Sequence, residues 1–207
     1  MVAKPLPKER HEQGIADRSE EDLRADLYRL ICAYLTSTVK KEDLQHASQL
    51  TGDASPLGQA ISKFAKAAAA TDEAAADDDF HDLFIGLGRG VLVPFASYYL
   101  TGFLHEKPLA RLRQDMAALG VERDPSVKEP EDHIASVLEM MAGLVDGSLV
   151  GPIDLERQRR FFETHVASWT PYFFKDLAET KQSPFYAALG DIGVEFMEIE
   201  KRAFEYV

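Results

Sequence analysis

Cysteine occurs once in the 207 residues, at Cys32. A lone thiol excludes an internal disulfide framework and a cysteine-based metal site within one chain. Long apolar runs are missing too. The longest, VLVPFASYYLTGFL over residues 91–104, is too short to span a bilayer and is interrupted by Pro94 and Gly102. The opening stretch, MVAKPLPKERHEQGIADRSEED, contains no apolar core of a signal peptide. A soluble, cytoplasmic protein without stable membrane insertion is the expectation. Basic residues are in the minority, with 23 Lys and Arg against 35 Asp and Glu, a net charge of −12. That argues against nucleic acid or an anionic membrane as partner, because binding phosphate needs Lys and Arg. The acid surplus suits a positively charged partner, although it also serves solubility.

Several chemical signatures are lacking. There is no Gly-x-Ser-x-Gly, and the histidines at 11, 46, 81, 105, 133 and 165 show no His-x-x-x-His spacing. Neither a resident metal nor a cofactor is expected from these residues. GLGRG, residues 86–90, has neither a following Lys-Ser/Thr nor a preceding strand, so it reads as a sharp turn rather than a phosphate cradle. Alternating strand patterns and internal repeats are also missing.

What the sequence does contain is helical periodicity. Hydrophobic residues make up 45% and charged residues 28%, an ordinary globular balance. Ser19 with Asp22 opens a helix whose apolar positions are Leu23, Leu27, Leu30, Ile31, Tyr34 and Leu35. Further helices are predicted over about 39–50 and 56–69, then from Thr71 and Glu73 onward. Periodicity breaks between Gly86 and Gly102, where an apolar loop must fold back on the protein or await a ligand. Helices resume over about 107–119, with Gly120 as C-cap, then along Ile134, Val137, Leu138, Met141, Leu144 and Val145. The last three cover about 153–168, 171–181 and 184–205. The expectation is an all-α bundle of eight to ten helices. A flexible N-terminus, 1–18, precedes an N-terminal subdomain, 19–120. A Pro-rich charged hinge, 121–131, leads to a smaller C-terminal subdomain, 132–207.

Two features bear on function. Phe80, Phe84, Phe95, Tyr98, Tyr99 and Phe103 crowd the Gly-rich segment, and an aromatic-lined groove suits an apolar or amphipathic peptide. The stretch EPEDH, 129–133, places Asp132 beside His133 at the start of a helix. Glu131 and Asp132 in a first turn would favour the helix dipole, and Pro130 would fix the backbone there. His133 gains nothing from that dipole when protonated. A hydrolase or lyase using an Asp132/His133 acid-base pair, with a residue such as His165, is the enzymatic alternative; adjacent helical side chains diverge by about 100°, which weakens it. A simple scaffold or dimer module is a third reading.

Three segments in order resemble the TorD/DmsD family of redox-enzyme maturation chaperones. These are FHDLFIGLGRGVLVPFASYYL (80–100), EPEDH (129–133) and QRRFFETHVASWTPYF (158–173). Phenylalanines occupy positions 80 and 95, where some members have tryptophan. The resemblance implies a non-enzymatic, all-helical cytoplasmic chaperone. Its partners would be the twin-arginine leader and the apo-form of a molybdenum-cofactor oxidoreductase related to dimethyl sulfoxide, trimethylamine N-oxide or nitrate reductases or formate dehydrogenases. It would aid cofactor insertion and delay export. The site residues implied or adjoining are Phe80, Leu83, Phe84, Phe95 and Tyr98 for an apolar groove, and Glu129, Pro130, Asp132 and His133 for the turn. Asp77, Asp78, Asp79, Asp82 and Glu131 could add negative charge. Weak guanine-nucleotide binding follows from the resemblance alone. A monomer or a hinge-mediated domain-swapped dimer is expected.

Overall fold

The computed structural model describes residues 19–86, 91–124 and 126–206. The 1–18 segment and most of GLGRG lie outside the described residues. The described residues form ten α-helices: α1 (Glu20–Leu35), α2 (Lys41–Ser48), α3 (Pro56–Ala70), α4 (Glu73–Phe80), α5 (Ala96–Thr101), α6 (Lys107–Leu119), α7 (Ile134–Val145), α8 (Leu155–Phe161), α9 (Thr170–Ala178) and α10 (Pro184–Glu205). Single π-helical segments extend α4 over His81–Ile85 and α8 over Phe162–Val166. No strand occurs among the described residues, so the all-α expectation holds.

Local chemistry explains most boundaries. Ser19 Oγ accepts the Asp22 N–H at 3.1 Å while Asp22 accepts the Ser19 N–H at 3.3 Å, a reciprocal capping box. Ser55 caps α3 ahead of Pro56, and Gly120 ends α6 in the left-handed region with φ of 75°. Thr71 does not open α4 as expected. It closes α3, its hydroxyl donating to the Ala67 carbonyl at 2.9 Å, and Asp72 takes the cap by accepting the Ala75 N–H at 2.9 Å. A carboxylate is the better acceptor at a helix N-terminus because it also meets the dipole. α5 was not expected at all, since six residues are too few to display a period.

The chain forms two compact units, Met1–Thr36 with Phe95–Val166, and Ser37–Pro94 with Ala167–Val207. This differs from subdomains divided at 121–131. In the first unit α1 lies along α7, although the two are about a hundred residues apart in sequence. α7 is apolar on nearly every face and is buried from Ile134 to Val145 except at Ser136 and Glu139, so it must be covered by other segments. α1 supplies Ala25, Tyr28, Ile31, Cys32 and Leu35, all buried. The Cys32 thiol donates to the Ala135 carbonyl at 3.3 Å, and burial pushes its pKa well up, which leaves it an unreactive core group. About one turn earlier on α1, Arg29 donates to Asp146 at 2.7 Å and lies 3.6 Å from Glu139.

The second unit is built on α10, which packs against α3 and α9. Gly190 and Gly193 permit that contact: a side chain at Gly190 would strike the backbone of Leu177 and Ala178, and one at Gly193 the ring of Phe174. Phe64 and Phe185 join α3 to α10, with ring centroids 4.9 Å apart.

Candidate peptide-recognition turn

The turn closes when the His133 N–H donates to the Pro130 carbonyl at 3.1 Å, and α7 then begins at Ile134. Glu131 and Asp132 therefore precede the helix, and neither serves its dipole as expected. Both are buried and committed to other elements of the first unit. Asp132 Oδ2 accepts the Ser97 N–H at 2.8 Å, and the Asp132 carbonyl accepts the Ala96 N–H at 2.9 Å. These are the first two amides of α5, so the carboxylate caps a helix 35 residues upstream. Phe95 and His133 form an isolated antiparallel bridge at the same place.

Glu131 takes a fork of bonds from Arg113 on α6: Nε at 3.1 Å to both oxygens and Nη2 at 2.7 Å to one. Arg123 Nε lies 3.8 Å away. Burial by itself would raise the Glu131 pKa, but the Arg113 hydrogen bonds and the charges of Arg113 and Arg123 outweigh it and hold the carboxyl below its ordinary value.

As a cation, His133 would gain nothing from a helix N-terminus. The structure gives it a role as a neutral base: it is the N-cap of α7, with Nδ1 accepting the Ala135 N–H at 3.3 Å. Desolvation by its surroundings lowers its pKa to about 4. At neutral pH the imidazole therefore keeps the lone pair that the cap needs. Its ring stands edge-on to Phe95, centroids 5.1 Å apart at 71°.

Of the expected groove residues, the first unit brings together Phe95, Pro130, Asp132 and His133. Phe95, Tyr98, Pro130 and His133 are half-buried, and Glu129 is exposed. Phe80, Leu83 and Phe84 belong to the second unit. There Phe80 and Leu83 are core residues, and Phe84, half-buried, meets Tyr186 at 5.3 Å between centroids. The apolar loop partly folds back, as Leu92 N–H donates to the Leu83 carbonyl at 2.8 Å. The pairing of Asp132 with the α5 amides, and of Arg113 with Glu131, had no signal in the sequence beyond the segments' composition. Nor did the two π segments, HDLFI and FETHV.

The acid-base alternative finds no support in this geometry. Asp132 is 1% exposed and bonded to backbone, while the His133 nitrogen nearest the backbone is occupied by the cap. His165 Nε2 instead meets Asp115 at 2.6 Å. Burial lowers the His165 pKa despite the carboxylate, so a neutral ring donates its N–H there. No group of three or more His, Cys, Asp and Glu suited to a metal occurs among the described residues. No described helix is long and apolar enough to cross a membrane.

An all-α chain of this kind has the fold of a known class. A crystal structure described as a candidate redox enzyme maturation protein from Archaeoglobus fulgidus superposes with a TM-score of 0.57 at 21% identity, covering 90% of this chain and 99% of that one. The family model for the nitrate reductase delta subunit matches residues 50–175, more than half of the chain. Curated relatives named chaperone protein TorD include one from Vibrio cholerae, 29% identical over 134 residues, which is 61% of each chain. Another from Aliivibrio fischeri is 30% identical over 130 residues, 59% of this chain and 60% of that one. The match thus spans about 61% of the relatives' length. The chain belongs to the nitrate reductase delta subunit/TorD chaperone family, a chaperone family and not an enzyme family.

Proposed function

We propose that this protein is a cytoplasmic chaperone for a molybdenum-cofactor oxidoreductase, binding the enzyme's twin-arginine leader and its apo-form. The client is of the dimethyl sulfoxide, trimethylamine N-oxide or nitrate reductase or formate dehydrogenase type. Binding assists cofactor insertion and delays export. Family membership supports the class, and one observation carries the assignment of the turn. Phe95 and His133, from two of the three recognised segments, are ring neighbours joined by a backbone bridge. Glu129, Pro130 and His133 with Phe95 and Tyr98 form the recognition surface in the first unit, with the buried Asp132 holding the two segments together from behind. Phe84 offers an apolar contact in the second unit, backed by Phe80 and Leu83. The chaperone acts as a monomer or as a domain-swapped dimer exchanged through 121–131, in which Arg113 of one copy would fork Glu131 of the other.

Calorimetry with a twin-arginine leader and with the apo-enzyme tests the reading. Saturable binding to either is expected, weakened in His133→Asn, which can still cap α7 but lacks the imidazole face toward Phe95. Absence of binding to both would sink the reading. Undiminished binding and client maturation in His133→Asn would remove the turn from recognition.

A further inference from the structure

Beside the turn, on a face formed by the end of α6, the segments 120–124 and 127–129, and α7, lies a cleft of about 240 Å³. Its floor is apolar, made by Met116, Val121, Met140 and Leu149, and its rim is acidic. That volume lies below the roughly 300–1,000 Å³ of small-molecule sites, so it suits one or two side chains rather than a nucleotide. The acidic rim would also repel phosphates.

The charges on this rim are unevenly satisfied. Glu131 is held by Arg113 and Arg123, Glu139 by Arg29, and Asp124 accepts from the Ser126 amide and hydroxyl. Arg123, the one lining cation among the described residues, also donates to the Val127 carbonyl at 2.9 Å. Glu122 and Glu129 are exposed, line the cleft and have no cationic partner among the described residues. A guest with an apolar stem and a cationic head would match both floor and rim. Methionine walls adapt to such stems because the thioether chain is flexible and polarisable. Arginine has that construction, and its planar head can take carboxylates in two-bond pairs.

We propose that this cleft receives an arginine side chain from the basic part of the partner's leader peptide, the stem on Met116 and Met140 and the guanidinium between Glu122 and Glu129. The inference rests on the leader-binding reading above and adds to it the place where the basic segment is recognised. It separates that segment from the apolar part of the peptide, which is left to the aromatic face of Phe95 and His133.

The test uses the full chain, a twin-arginine leader and the same leader with both arginines replaced by glutamine. The wild-type protein should bind the arginine leader at least ~10-fold more tightly, with the advantage shrinking as salt is raised. In Glu122→Gln/Glu129→Gln the difference between the two leaders should disappear. Both substitutions are on exposed side chains, and thermal unfolding of the variant should match the wild type. An undiminished arginine preference in the double variant would overturn the cleft while leaving leader binding intact. If neither leader binds, the leader-binding reading fails, and a short Leu-Arg-Arg-Leu peptide then decides the cleft. Failure of that peptide to bind in a carboxylate-dependent way would overturn it.

Discussion

His133 caps α7 through Nδ1 while its ring stands at 71° to Phe95, so one side chain secures a helix start and a tertiary contact together. The cap requires the neutral ring. A protonated Nδ1 has no lone pair for the Ala135 amide, and the positive charge would face the positive end of the helix.

Stability should therefore fall as the solution is acidified. The folded-state pKa of about 4 lies below the unfolded value of 6.5, so the unfolded chain binds the proton first. The contribution is fully present above about pH 6.5 and is lost as pH falls toward about 4, up to roughly 3 kcal/mol. His165 shifts in the same direction, and the lowered carboxyls of Glu131 and Asp146 add a further loss at still lower pH. Urea unfolding between pH 7 and pH 4.5 should show the slope, and His133→Asn should flatten it. An unchanged slope in that variant would remove His133 as its source. His133→Ala should cost about 1 kcal/mol at pH 7 through loss of the cap.

Asp132→Ala should destabilise by about 1–3 kcal/mol because the Ser97 amide, on a residue 0% exposed, would lose its acceptor. Asp132→Asn retains an acceptor oxygen and should recover much of the loss. Equal destabilisation by both would show that the charge facing α5, rather than the hydrogen bond, carries the effect.

Gly190→Ala sets two effects against each other. Helix propensity alone would favour alanine by about 1 kcal/mol. The new methyl group would meet the backbone of Leu177 and Ala178, which cannot rotate away. The clash should win, with a net loss of about 1–3 kcal/mol in chemical denaturation. A stabilised variant would mean that α9 yields easily.

Tyr186→Phe should be neutral or stabilising. The Tyr186 side chain is fully buried, and its hydroxyl has no hydrogen-bond partner among the described residues. Burial and the charges of Asp79 and Asp77 raise its pKa, so it stays protonated. Removing an unsatisfied hydroxyl relieves desolvation cost and keeps the ring contacts with Phe80 and Phe84. A loss of more than about 1 kcal/mol in thermal or urea unfolding would indicate that the hydroxyl is satisfied in solution.

Helix content was legible from sequence because capping and periodicity are local. Ser19 with Asp22, Ser55-Pro56 and Gly120 act within one turn of chain, and the apolar stripe of α7 repeats over three turns. The family-like segments were legible for the same reason, as strings of residues. The unit boundaries were not. A Pro-rich loop at 120–131 looks like a hinge by composition, yet Arg113, Arg123 and Glu131 bind it to the first unit.

What the sequence determined by itself was the class of structure, the helix starts set by short-range hydrogen bonds, and the excess of negative charge. Only the tertiary structure decided what EPEDH does. Asp132 caps α5 across 35 residues, Glu131 pairs with α6, and His133 is neutral because the packed protein withholds water from its ring. Each depends on partners distant in sequence and on the local dielectric, which exist only once the chain has folded.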